Sequence, residues 1–183
     1  DVEVRSRLRS ELSSVLKSCS ASAILVTHDP HEALAICDRV AVLRSGEIQQ
    51  YSTPFEMVLN PSNDFIGQFV LQKNILPIQY IDDSCSTCIG KLSVPSDMSI
   101  SSKSVCMFDR NAIRIEHCLN GSFTVISKEY RINHYVYTVI SESLKLKSEM
   151  SLDTSLSIGD KCKVEAIHEK NFLVLPENIK CKF

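Results

Sequence analysis

The sequence carries no surplus of positive charge: Lys+Arg 20 stand against Asp+Glu 22, giving a net charge of -2 and a pI near 6.2. Without spare cations to displace counterions from phosphate, a dedicated nucleic-acid binder is disfavoured. No stretch approaches the roughly 18 to 20 apolar residues that a spanning helix needs, and no basic-then-apolar leader opens the chain. The expectation is a protein at most peripheral to a membrane. No internal repeat is present, and no G-x-x-x-x-G-K-[ST] phosphate loop. The Gly90-Lys91 pair has Cys85 where the first glycine belongs and Leu92 where the hydroxyl belongs. Eight cysteines are scattered at positions 19, 37, 85, 88, 106, 118, 162 and 181 with no sign of export, so reduced thiols in a cytoplasmic protein are expected. What is present suffices for folding: 44% hydrophobic residues over 183 positions predict one or two small domains, each with a core.

Two halves differ in periodicity. From Val2 to about Leu16, Val4, Leu8, Leu12 and Val15 recur at helical spacing, with Arg5, Arg7, Arg9, Glu11 and Lys17 on other faces. Because the chain opens on Asp1 and already reads as helix, it is expected to be the carboxy-terminal part of a longer protein. Ala23-Ile24-Leu25-Val26-Thr27 is an unalternating apolar run, as expected of a strand buried on both faces of a parallel sheet. Asp29 and Pro30 then predict a capped helix through Ile36, so the order helix, loop, strand, helix points to α/β architecture. Arg39 to Leu43 and Glu47 to Tyr51 flank Gly46 as a hairpin. Thr53-Pro54-Phe55-Glu56 opens another helix with a capping box, Asn60-Pro61 ends it, and Asp64 to Leu71 supplies a last short one.

Beyond Gln72-Lys73-Asn74 the pattern becomes short β-prone runs. Ile75 to Ile81, Val105 to Phe108, Ala112 to Ile115, Phe123 to Ser127, Tyr135 to Ile140, Lys161 to Ile167 and Phe172 to Leu175 suit strands, with Asn120-Gly121 and Ile158-Gly159-Asp160 as turns. Several strands in about 110 residues predict a small barrel or sandwich.

His28 is the leading candidate for chemistry. It follows the run 23–27 and precedes a helix, where open α/β sheets bind ligands, and an imidazole there can donate to a phosphate oxygen. The competing reading is a histidine that serves only to hydrogen-bond a helix entry. The surrounding residues favour the first. Ile24 to Ala33, Cys37-Asp38-Arg39-Val40-Ala41-Val42-Leu43 and Gly46-Glu47-Ile48-Gln49-Gln50 resemble the switch-histidine region of ATP-binding-cassette ATPases. Ser52-Thr53-Pro54-Phe55-Glu56-Met57-Val58-Leu59-Asn60-Pro61 is similar to the segment closing that domain in importers of iron, polyamines, sulfate and maltose.

The resemblance implies an α/β C-terminal part of an ABC ATPase domain over residues 1–72, followed over 73–183 by a small all-β, TOBE-like (OB-type) barrel. It implies that two subunits sandwich ATP with Mg²⁺, that His28 contacts the γ-phosphate and helps position water, and that Asp1 closes the D-loop, touching nucleotide across the dimer. The partners implied are a second ATPase subunit as a homodimer, a transmembrane permease and, indirectly, a periplasmic solute-binding protein, with no nucleic acid. The place implied is the cytoplasmic face of the inner membrane. The Walker A loop, signature loop and acidic Mg²⁺ strand of the family are absent from the sequence, so the chain alone is expected to be inactive. Gln68 to Pro77 looks more like the iron(III) members than the sugar members, so the cargo implied is iron(III), with a polyamine, sulfate or sugar as the alternative. Ser104 to Ile115 sits where the family carries an Arg-Pro-Glu element, which is lost here, and Ile158 to Ile167 with Phe172 to Pro176 resembles its closing hairpin.

Other features read as structural. Cys85-Ser86-Thr87-Cys88 lacks a second pair at zinc spacing, so no metal site is expected. Lys145, Lys147, Lys161 and Lys163 suit the wet face or edge of strands, and Tyr130, Tyr135 and Tyr137 suit cross-strand packing. A different class remains open for the literal chain: a non-catalytic regulatory or dimerisation module whose barrel binds a small ligand or protein.

Overall fold

A computed structural model describes residues 11, 14–16, 18–81, 84–92, 104–142, 144–167 and 172–175. The chain divides into two units between Val70 and Leu71. In the first, Asp29 caps helix α1 (Pro30–Ile36) by accepting from the His31 amide at 2.9 Å, and Pro30 sits where its missing N–H costs nothing. Strands β1 (Val40–Arg44) and β2 (Glu47–Ser52) form an antiparallel hairpin. Its two-residue turn has positive φ at both Ser45 (52°) and Gly46 (82°), the handedness that suits twisted strands.

Helix α2 (Pro54–Leu59) carries the expected capping box. The Thr53 N–H donates to Glu56 Oε2 at 3.0 Å, and the Glu56 N–H donates to Thr53 Oγ1 at 3.2 Å. The Thr53 backbone bond, then its hydroxyl, holds the Glu56 carboxyl below the usual carboxylate range. The chain next returns across the hairpin. The buried Gln50 amide donates to Asn60 O at 3.1 Å and accepts from the Ser62 N–H at 2.9 Å, so one side chain satisfies two backbone groups of the loop after α2. A π-helical turn (Ile66–Val70) follows and buries Ile66, Gly67 and Val70.

The run 23–27 departs from expectation. It forms no strand, and Ile24 and Val26 are 95% and 91% exposed. A strand buried on both faces needs hydrogen-bonding neighbours and covering helices. Among the described residues, the only sheet of this unit is the antiparallel hairpin, so the expected parallel layer has nothing to form from. The predicted helix from Asp64 to Leu71 is also altered, because its last turn widens to π geometry.

The second unit, Leu71–Ile179, is built of strands. They are β3 (Asn74–Pro77), β4 (Gln79–Ile81), β5 (Ser84–Thr87), β6 (Gly90–Leu92), β7 (Val105–Phe108), β8 (Ile113–His117), β9 (Phe123–Arg131), β10 (His134–Ser141), β11 (Leu144–Met150), β12 (Lys161–Ala166) and β13 (Phe172–Leu175). Three sheets run in the orders β11-β10-β9-β12-β8, β13-β7-β3 and β4-β5-β6, with every pair antiparallel. The expected single strand from Ile75 to Ile81 is thus two, in different sheets, with buried Ile78 between them.

The largest sheet curls until its outer strands meet: the Ser148 hydroxyl on β11 donates to Ile113 O on β8 at 2.5 Å. Inward-facing Ile113, Ile115, Phe123, Val125, Tyr137, Val139, Leu146, Cys162 and Val164 join Leu76, Cys106, Phe108 and Val174 of the second sheet in one core. Asn74 on β3 ties that second sheet to β11. Its side chain donates to Lys147 O at 2.8 Å and accepts from the Lys147 N–H at 2.7 Å.

Candidate functional site

His28 is exposed and stands at the centre of a turn closed by side chains. The preceding Thr27 hydroxyl accepts from the Asp29 N–H at 3.1 Å and donates to Glu32 Oε2 at 2.9 Å. Asp29 then caps α1 through its bond to the His31 amide. Consecutive Ser/Thr-type and Asx-type turns therefore flank the imidazole and fix the backbone on which it is mounted. A ring presented in this way can donate from one nitrogen to an anionic oxygen while the other takes or holds a proton. The sequence pattern alone places Thr27 at a strand end and Glu32 in a helix. The signal for their joint role is a hydroxyl one residue before the histidine with a carboxylate four residues after it.

Asp1, the other predicted site residue, lies outside the described residues. Cys85 and Cys88 diverge: Cys85 is buried on β5, while Cys88 is exposed in the turn before β6. Burial raises the thiol pKa of Cys85, and partial desolvation of the sulfur raises that of Cys88 despite the exposure of the residue as a whole. Among the described residues no group of three or more His, Cys, Asp or Glu side chains could hold a metal ion.

In the second unit, the segment Asp109-Arg110 faces the start of its own unit. Arg110 donates to Gln72 O at 3.1 Å and to Gln72 Oε1 at 2.7 Å, while Lys73 pairs with Asp109 at 2.9 Å. These contacts let Gln72 keep a left-handed φ of 54°. Tyr130 on β9 packs across to Tyr135 on β10 with ring centroids 5.8 Å apart, and Tyr135 meets Tyr137 along β10. Tyr137 is fully buried, and the single proton of its hydroxyl is shared between Thr154 O and Leu156 O, both 3.2 Å away. The Lys128 ammonium lies 4.3 Å from the Tyr135 ring centroid, so that aromatic face already carries a cation. Lys163 pairs with Glu165 on the outer face of β12, and that hydrogen bond holds its ammonium pKa above the ordinary value.

No family model matches the chain. Curated proteins do resemble it. The spermidine/putrescine import ATP-binding protein PotA of Mesoplasma florum is 30% identical over 177 residues, covering 92% of this chain and 51% of that protein. The Fe(3+) ions import ATP-binding protein FbpC of Brucella abortus is 26% identical over 181 residues, 91% of this chain and 51% of its own length. The sulfate/thiosulfate import ATP-binding protein CysA 2 of Chromobacterium violaceum is 40% identical over 79 residues, 43% of this chain and 22% of that protein. The chain spans about half the length of the full-coverage relatives. Over about nine-tenths of its length, then, the chain is similar to ATP-binding subunits of ABC importers.

Proposed function

We propose that this chain is the distal half of an ATP-hydrolysing importer subunit. On this reading residues 1–72 end the α/β ATPase domain, and residues 73–183 form a TOBE-like barrel. The observation that carries the reading is the exposed His28 on a turn held from both sides, within a sequence that aligns along its length with import ATP-binding proteins. The curled five-stranded sheet whose outer strands meet supports the barrel assignment.

In the complete subunit, His28 donates a hydrogen bond to a γ-phosphate oxygen as negative charge redistributes there during attack by water. An interaction that strengthens in the transition state raises turnover without tightening ATP binding. Partners on this reading are a second copy of the subunit and a membrane permease, with a periplasmic solute-binding protein acting through the latter, at the cytoplasmic face of the inner membrane. For the cargo, relatives named for iron(III), spermidine/putrescine and sulfate all match. The finer assignment to iron(III) rests on residues 68–77 alone.

The test is His28→Ala in the complete subunit. Turnover is expected to fall about 100-fold or more, with ATP affinity within about two-fold of wild type. Unchanged steady-state hydrolysis refutes the role. These 183 residues alone are expected to show no micromolar Mg-ATP binding by calorimetry. A second reading, a non-catalytic regulatory or dimerisation module, is favoured by one observation: the second unit completes its own core in a chain with no phosphate loop. An in-frame Walker loop encoded before Asp1 decides for the ATPase, and a start codon there decides for the module.

A further inference from the structure

We infer that Glu32, acting through the Thr27 hydroxyl, is a positioning residue for the His28 imidazole. The inference rests on the preceding reading of His28. A threonine hydroxyl has one proton to give, and here it goes to Glu32 Oε2 at 2.9 Å. That leaves its lone pairs for the Asp29 N–H at 3.1 Å, and donation to a carboxylate makes the oxygen a better acceptor. The turn 27–29 is therefore closed by a hydroxyl that is itself tied to α1, and His28 is the residue between the two closing groups. Thr27 is β-branched and stiff about χ1, so fixing its oxygen fixes the backbone from which the imidazole departs. Glu32 reaches back five residues, upstream of the helix cap, to do this. An acid that merely complemented the helix terminus would not need that contact.

The experiment uses the complete subunit of the preceding reading, with steady-state ATP hydrolysis measured for Glu32→Ala, Thr27→Val and Thr27→Ser, each also in a His28→Ala background. Displacing the ring is expected to lower kcat about ten-fold for Glu32→Ala and Thr27→Val, with KM for ATP within about two-fold. Thr27→Ser keeps the hydroxyl and is expected to stay within about two-fold of wild type. With His28 already removed, neither loss should recur, because the group being positioned is gone. Thr27→Val, isosteric and outside the helix, keeps the test available should Glu32→Ala fail to fold. A slow His28→Ala variant beside wild-type kcat in both Glu32→Ala and Thr27→Val overturns the positioning role alone. Losses that multiply with that of His28→Ala overturn it too. A His28→Ala variant at wild-type rate overturns the underlying reading instead.

Discussion

Asn74 is the residue whose replacement tests the second unit most sharply. It is 6% exposed, on β3, at one end of the sheet order β13-β7-β3. Its carboxamide meets both backbone groups of Lys147 on β11, at 2.8 Å and 2.7 Å, as a neighbouring strand's peptide would. Asn74→Ala removes both bonds and strands a donor and an acceptor away from water. At about 1 to 2 kcal/mol for each unsatisfied group, the expected loss is about 2 to 4 kcal/mol. Asn74→Asp separates the two halves of the contact. The carboxylate still accepts from the Lys147 N–H but faces the Lys147 carbonyl with a negative oxygen, whereas the protonated acid can serve both. Its pKa is therefore raised in the folded state. The stability that it contributes is complete below the unfolded value of about 3.9 and is lost as the pH rises through the folded one.

Urea unfolding followed by tyrosine fluorescence suits the assay, since Tyr80, Tyr130, Tyr135 and Tyr137 all lie in this unit and the chain has no tryptophan. Asn74→Ala within about 0.5 kcal/mol of wild type refutes the clamp, as does a deficit in Asn74→Asp that does not grow between about pH 4 and pH 7.

Gly121→Ala should destabilise the same unit by about 2 to 3 kcal/mol. An added Cβ would lie 2.2 Å from Cys162 O and 2.3 Å from its carbonyl carbon, both backbone atoms that cannot swing aside. Coincident urea transitions for variant and wild type would disprove it. For the thiols, burial pushes Cys106 up to about 12 and, first among its causes, Cys162 up to about 11, with Asp160 adding to the latter. An unfolded thiol near 9.0 loses its proton before these folded ones do, so stability should be flat below about pH 9 and fall above it. Urea midpoints from pH 7 to 11 check the sign, and alkylation should reach the exposed Cys19 and Cys88 before the buried Cys106 and Cys162.

Short-range chemistry was legible in the sequence wherever it decides the outcome. Gly46 in the hairpin, the Asp29 cap, the Thr53–Glu56 box and the stop at Asn60 all act within a few residues, and each is realised. Long-range pairing was less so. The run 144–150 alternates Leu144, Leu146, Ser148 and Met150 against Lys145, Lys147 and Glu149, yet polar Ser148 inside and frequent lysines mask a strand whose register is set by β10. The strands β5 and β6 are short and polar and exist by pairing with each other and β4. The run 23–27 shows the reverse error, because its apolar composition states what the segment would bury but not whether anything is there to cover it. At the site, His28 and the Asp29 cap were readable from order alone. The link from Thr27 to Glu32 was not, since it depends on where the first turn of α1 brings a carboxylate.

That uncovered run also bears on how the chain behaves in a tube. A β-prone pentad without charge or proline, two of whose side chains are more than nine-tenths in water, is a ready seed for stacking between copies. Refolding yield is therefore expected to fall as protein concentration rises, and light scattering of refolding mixtures checks it.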